Sequence, residues 1–195
     1  MTAAEVLRSY FLGLYAIGVL ITVIAVVVDY VRSAPVERRP EGAGRHLLAT
    51  LVPSATLLPL LLILLRVGEI DAEWVPVRLL GFALSLYAAG MELWVALTLG
   101  RFLVPRAVVF EGHRLTTSGP YRLLRHPDYS AILALWLGAA LGTLNGGLLL
   151  LFPLAVLGWW TEARLEEQLL EAKFGEAYRV YSCSRLRFIP RLLED

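Results

Sequence analysis

The sequence predicts an all-α, polytopic integral membrane protein with about five transmembrane helices, the last two forming a helical hairpin. Three observations carry this. Of 195 residues, 57% are hydrophobic, above the roughly 45–50% of a soluble domain. Mean hydropathy is +0.64. The apolar residues gather in long runs with the charges between them, which is the pattern of bilayer spans rather than of one large core.

The first run, Val6 to Tyr30, is too long for the apolar part of a signal peptide and lacks a basic leader, so it is a span. The second runs from Leu47 to Val67, where Pro53 and Pro59 should kink it. The third covers Val75 to Leu99. The fourth and fifth, "YSAILALWLGAALGTL" and "GGLLLLFPLAVLGWW", meet at Asn145-Gly146. Each is short for roughly 30 Å of hydrocarbon, which suits a tight hairpin. Beyond them, Leu165, Leu169, Leu170 and Phe174 share a helical face, predicting an amphipathic helix continuous with the fifth span. Gly175 should break it, and a short turn beyond would carry Tyr178 and Tyr181. Residues 1–99 thus hold three spans and 100–195 the site-bearing region, within one integrated domain.

Loop charge sets an expected orientation. The segments after the first and third spans, and the tail, are arginine-rich, whereas "GEIDAEW" after the second is acidic. The positive-inside rule then puts the N-terminus outside and the long middle loop and C-terminus in the cytoplasm. A net charge of +1 argues against a nucleic-acid surface. Cys183 is the lone cysteine, expected to be a buried or inert thiol. No G-x-G-x-x-G, P-loop or G-x-S-x-G occurs, and His46, His113 and His126 are too scattered for a metal set.

Polar density falls in two stretches. In "GHRLTTSGPYRLLRHPDY", Gly119-Pro120 marks a turn, and Pro127 biases His126 away from helical geometry at the mouth of the fourth span. Irregular backbone at membrane depth persists only where protein or a water-filled cavity covers it. Two readings fit: arginines and tyrosines anchoring at the lipid interface, or a ligand pocket. The second stretch is Glu162, Arg164, Glu166 and Glu167. Glu162 and Glu166 share a helix face and repel unless Arg122, Arg125 or a ligand lies between them. A solvated face paired locally to Arg164 is the other possibility. Glu92, inside the third span, is expected to face the bundle and seek an arginine, as an ion pair or in function.

The motifs S-G-P-Y-R, R-H-P-x-Y, E-E-x-x-L, F-G-x-x-Y and R-F-I-P occur in this order between Leu99 and Pro190. Together they resemble the isoprenylcysteine carboxyl methyltransferase family, within a wider group that includes membrane phospholipid methyltransferases. The resemblance implies S-adenosylmethionine as methyl donor, S-adenosylhomocysteine as product, and a cytoplasmic site outside any Rossmann fold. It assigns donor contacts to the backbone of His113, Arg114, Leu115 and Thr116, to Tyr121, to His126, Pro127, Asp128 and Tyr129, and to Glu166, with Arg106 as a further contact.

The acceptor it implies is a lipophilic small molecule or lipid entering sideways from the bilayer near the last two spans. Trp159 and Trp160 would line that entry or anchor at the interface. The sequence departs from the family at Glu162, where members often carry an arginine for the substrate carboxylate. An acid there suits a cationic, amine-bearing or neutral acceptor, unless Arg125 or Arg185 supplies the charge. A carboxylate acceptor needs no general base; an amine or thiol does, with Glu162 or Glu167 as candidates. Arg125, Glu162 and Glu167 are therefore the expected catalytic residues. Competing expectations are phospholipid N-methylation, a sterol-reductase-like membrane oxidoreductase (normally longer), and a non-enzymatic membrane scaffold.

Overall fold

The computed structural model describes residues 5–17, 20, 36–38, 57–100, 109–110 and 114–189. Helical residues 5–17 (α1) and 57–64 (α2) precede α3 (Val75–Leu99), a 3-10 turn (Gly119–Arg122), α4 (Pro127–Thr143), α5 (Gly146–Phe174) and α6 (Glu176–Cys183). A short antiparallel ribbon pairs β1 (Val36–Arg38) with β2 (Val109–Phe110), a feature the all-α reading omits.

The third span falls where the sequence places it. Among the described residues, α3 and α5 are long and apolar enough to cross a membrane. Leu79, Leu86, Leu93 and Leu97 on α3, and Leu150, Leu154 and Leu157 on α5, are exposed, as lipid-facing leucines are. Parts of the first and second expected spans, Pro53 included, lie outside the described residues. Pro59 is buried within the described residues of α2.

The hub is α4. At 17 residues, α4 reaches about 25 Å. Most of its surface is buried by neighbours, including Ala131, Leu133, Trp136, Ala139 and Ala140. Tyr15 of α1, Ile63 of α2 and Leu148 of α5 share a cluster with Trp136, Ala139 and Ala140. A helix wrapped on all sides need not match the bilayer's thickness.

The seam between α3 and α4 is built from small residues. A Cβ on Gly81 would lie 2.6 Å from the Gly138 carbonyl and would overlap the Gly142 backbone. A Cβ on Gly138 would lie 2.6 Å from Ser85 Oγ. Lipid gives helices no hydrophobic reason to associate, so close backbone approach supplies the packing energy. Arg78, only 3% exposed, donates to the Gly142 carbonyl (2.9 Å) and the Ala72 carbonyl (2.8 Å). It thereby satisfies an orphan carbonyl at the negative end of α4.

Leu144 and Asn145 alone join α4 to α5, the tight hairpin expected from Asn-Gly. Leu144 adopts φ +50°, and the buried Asn145 side chain caps α5 by accepting from Leu148 N at 2.9 Å. The hairpin is pinned to the α2–α3 turn by Gly146 N to Gly68 O (2.8 Å) and Ile70 N to Leu144 O (2.9 Å). At the far end, α5 runs unbroken into the tail until Gly175, at φ +55°, turns the chain into α6. Cys183 is exposed rather than buried, because it closes a short surface helix.

Gly81→Val is expected to force α3 and α4 apart at a cost of about 1–3 kcal/mol. Gly142→Val should destabilise by a similar amount by displacing the Phe11 ring of α1, against which its new side chain would press. Gly90, also in α3, has nothing within 4 Å. Gly90→Ala should stabilise by about 0.5–1 kcal/mol through helix propensity. Thermal unfolding in detergent distinguishes them; matching effects at Gly81 and Gly90 would contradict the seam.

Candidate active site

The site forms where the mouth of α4 meets the polar half of α5 and the chain that follows α6. His126 precedes Pro127 as the N-cap of α4, with non-helical φ −129° and ψ 72°. Proline at the first helical position costs nothing and fixes the entry angle. The displaced His126 is 2% exposed. Its Nδ1 lies 3.3 Å from Glu166 Oε2, and its Nε2 lies 3.2 Å from Glu167 Oε1. One turn of sequence on, Tyr129 donates its hydroxyl to the same Glu166 Oε2 at 2.8 Å.

Arg125 Nη1 meets Glu167 Oε1 at 3.0 Å. Arg187 forks onto Glu167, with Nη2 to Oε2 at 2.7 Å and Nε to Oε1 at 3.0 Å. The segment around Arg187 runs beside the mouth of α4 like a short parallel strand. Arg125 N donates to Leu186 O (2.8 Å) and His126 N to Arg187 O (3.1 Å). Tyr181 of α6 donates to the Tyr121 carbonyl (2.9 Å), tying the 3-10 turn to the same assembly.

Aromatic rings wall the imidazole. His126 stacks on Tyr129 at 5.1 Å and 6°, Tyr129 leans on Trp159 at 4.9 Å, and Phe188 stands 6.2 Å from His126. Burial alone pushes the imidazole pKa down. The hydrogen bonds to Glu166 and Glu167 outweigh that, holding it at about 9, so the ring is charged at neutral pH. Burial, then the nearby Asp128 and Glu166 charges, push the Tyr121 phenol far up, which keeps it neutral.

The structure brings together Arg125, His126, Tyr129, Glu166 and Glu167, with Pro127 setting the geometry and Tyr121 and Asp128 within electrostatic reach. Glu162, 1% exposed, acts on Tyr129 from one turn earlier on α5. Arg114, Leu115 and Thr116 lie outside any helix or strand and form no hydrogen bond or ion pair with this cluster among the described residues. Arg106 and His113 lie outside the described residues.

Arg125 goes to Glu167, and Glu166 is met by His126 and Tyr129. Glu92 feels the charge of Asp128, and Arg101 and Arg106, which follow α3, lie outside the described residues. Tyr129, 7% exposed, packs on His126 and Trp159. Sequence reasoning missed Arg187 and Phe188 as site residues. The R-F-I-P motif that contains them is visible, but nothing in its spacing shows that this segment folds back over His126.

Folding raises the His126 pKa from 6.5 to about 9, so the stability it brings is full below pH 6.5 and is lost as pH rises through about 9. Thermal denaturation in detergent should lose stability across that window. His126→Gln should remove this alkaline limb while lowering stability by about 1–3 kcal/mol at pH 6, because Glu166 loses the cation it meets and Glu167 one of its three. An alkaline limb unchanged in the variant would show that other groups set it.

No curated protein matches the chain. The family described as phospholipid methyltransferase matches residues 77–177, which is just over half of the sequence and contains most of α3, the 3-10 turn, α4, α5 and the His126–Glu166–Glu167 cluster. The chain belongs to the phospholipid methyltransferase family, a group of membrane methyltransferases acting on lipids.

Proposed function

We propose that the protein moves a methyl group from S-adenosylmethionine to an amine-bearing lipid that reaches the site from the bilayer. The observation that carries this is the acid-rich side of the cluster. Among the described residues, Arg125 and Arg187 both bind Glu167, whereas Asp128 and Glu166 lie beside His126 and Tyr129. Such a site favours cationic ligands and disfavours a carboxylate acceptor. Family membership supports both the donor and a lipid substrate.

The donor set fits S-adenosylmethionine, which supplies an electrophilic methyl on a sulfonium when bound. Glu166 directs both its contacts through Oε2 and keeps 32% of its side chain accessible, so it can accept from an ammonium or ribose hydroxyls. Tyr121 offers an aromatic face to a sulfonium. His126 fixes Glu166 in its ionised form. An amine acceptor must lose a proton to attack, and Asp128, in the first turn of α4, is the carboxylate we assign to receive it. Glu167, filled by Arg125, Arg187 and His126, is assigned to positioning rather than to proton transfer, and Glu162 to the local field. In-line displacement needs alignment and exclusion of water, and the aromatic wall of Tyr129, Trp159 and Phe188 serves the second need. We place the site on the cytoplasmic side and the N-terminus outside, following the arginine-rich loops.

A second acceptor reading, a prenylcysteine carboxylate, is favoured by the ordered motifs from S-G-P-Y-R to R-F-I-P. Titration calorimetry with S-adenosylmethionine and with NADPH tests the donor. We expect micromolar binding of the former, lost in His126→Ala and in Glu166→Gln. NADPH binding alone would overturn the proposal in favour of a reductase. Methyl transfer to vesicles with primary-amine headgroups, against a prenylcysteine in the same vesicles, tests the acceptor. Transfer to the prenylcysteine alone would replace the amine reading with the carboxyl one.

A further inference from the structure

Arg187 is the most firmly held cation near the site. Its Nη2 donates to Glu167 Oε2 at 2.7 Å, and its Nε lies 3.0 Å from Oε1 and 3.2 Å from Oε2. The guanidinium lies 4.3 Å from the centre of the Trp160 ring, and Phe188 packs edge-on against that same ring at 6.0 Å. Neutralising Glu167 does not require Arg187, because Arg125 (3.0 Å) and His126 (3.2 Å) already meet the carboxylate. What Arg187 adds is direction. Arg125 and His126 both address Oε1, and among the described residues only Arg187 holds Oε2. With Oε2 pinned, the carboxylate plane cannot turn. His126 Nε2 then has one fixed acceptor, which leaves the Nδ1 edge aimed at Glu166.

We infer that Arg187 is a positioning residue for the donor site, setting through Glu167 the angle at which His126 holds Glu166 toward the ligand. This rests on the donor-binding reading above. The planar fork on Trp160 is what a lysine lacks: it would keep the charge and lose the direction.

The test uses the full chain in detergent, with Arg187→Lys, Glu167→Gln and the double variant. One readout is the calorimetric affinity for S-adenosylmethionine. The other, in ligand-free protein, is the pH at which thermal stability is lost on the alkaline side, a property of His126 among Glu166, Glu167 and Asp128. Arg187→Lys is expected to keep its melting temperature near pH 6, to weaken donor binding about tenfold or more, and to move the alkaline midpoint to lower pH. In the Glu167→Gln background the lysine should change neither readout. A uniform loss of stability with an unmoved midpoint, or an additive effect in that background, overturns the inference. Should the lysine variant not fold, Trp160→Leu, which frees the guanidinium from its ring, carries the same two expectations. If the parent protein binds no donor, the functional reading fails, and the alkaline midpoint alone then decides the role of Arg187.

Discussion

A charged imidazole held between two carboxylates is the interaction on which the rest depends. His126 reaches Glu166 with one ring nitrogen and Glu167 with the other, while being almost wholly buried. Three stretches distant in sequence must be in place for this: the mouth of α4, the polar end of α5 and the returning segment at Arg187. A buried ion pair is a poor way to gain stability, since desolvation consumes most of the attraction. It is a good way to demand one arrangement. Removing His126 leaves Glu166 without the cation it meets, so the imidazole ties the mouth of α4 to one register on α5.

The apolar half of the molecule serves that arrangement. α4 carries His126 at one end, and its position is set by close backbone contact with α3 at Gly81, Gly138 and Gly142. The other end is fixed by Arg78 and by Asn145, which caps α5. α5 in turn carries Glu162, Glu166 and Glu167. The hairpin therefore fixes the spacing between imidazole and carboxylates from the far side of the bundle. Small residues and a two-residue connection give little room for either helix to slide.

Much of this was legible in the sequence. The bounds of α3, the Asn145 turn, the continuity of α5 to Gly175 and the displacement of His126 by Pro127 all follow from local rules of length, capping and proline geometry. The identity of partners was less legible. The i, i+4 relation of Glu162 and Glu166 predicts that something cationic must come near, and it does not say which. Arg125 turns to Glu167, which lies one residue further round the helix and also meets Arg187 from the segment after α6. Arg187 escaped notice because its partner lies 20 residues earlier in the chain, a distance no periodicity encodes. Glu92 feels the charge of Asp128, a pairing across α3 and α4 that charge counting along the chain does not show.

The central claim is that His126 is a cation in the folded protein. Nitrogen-15 NMR of the histidine rings in detergent tests it directly, with the signal assigned by its loss in His126→Gln and so separated from His46 and His113. The account predicts that both ring nitrogens carry protons at pH 7.5 and that the ring titrates near pH 9. A neutral His126 ring at pH 7.5, titrating at or below 6.5, would contradict it.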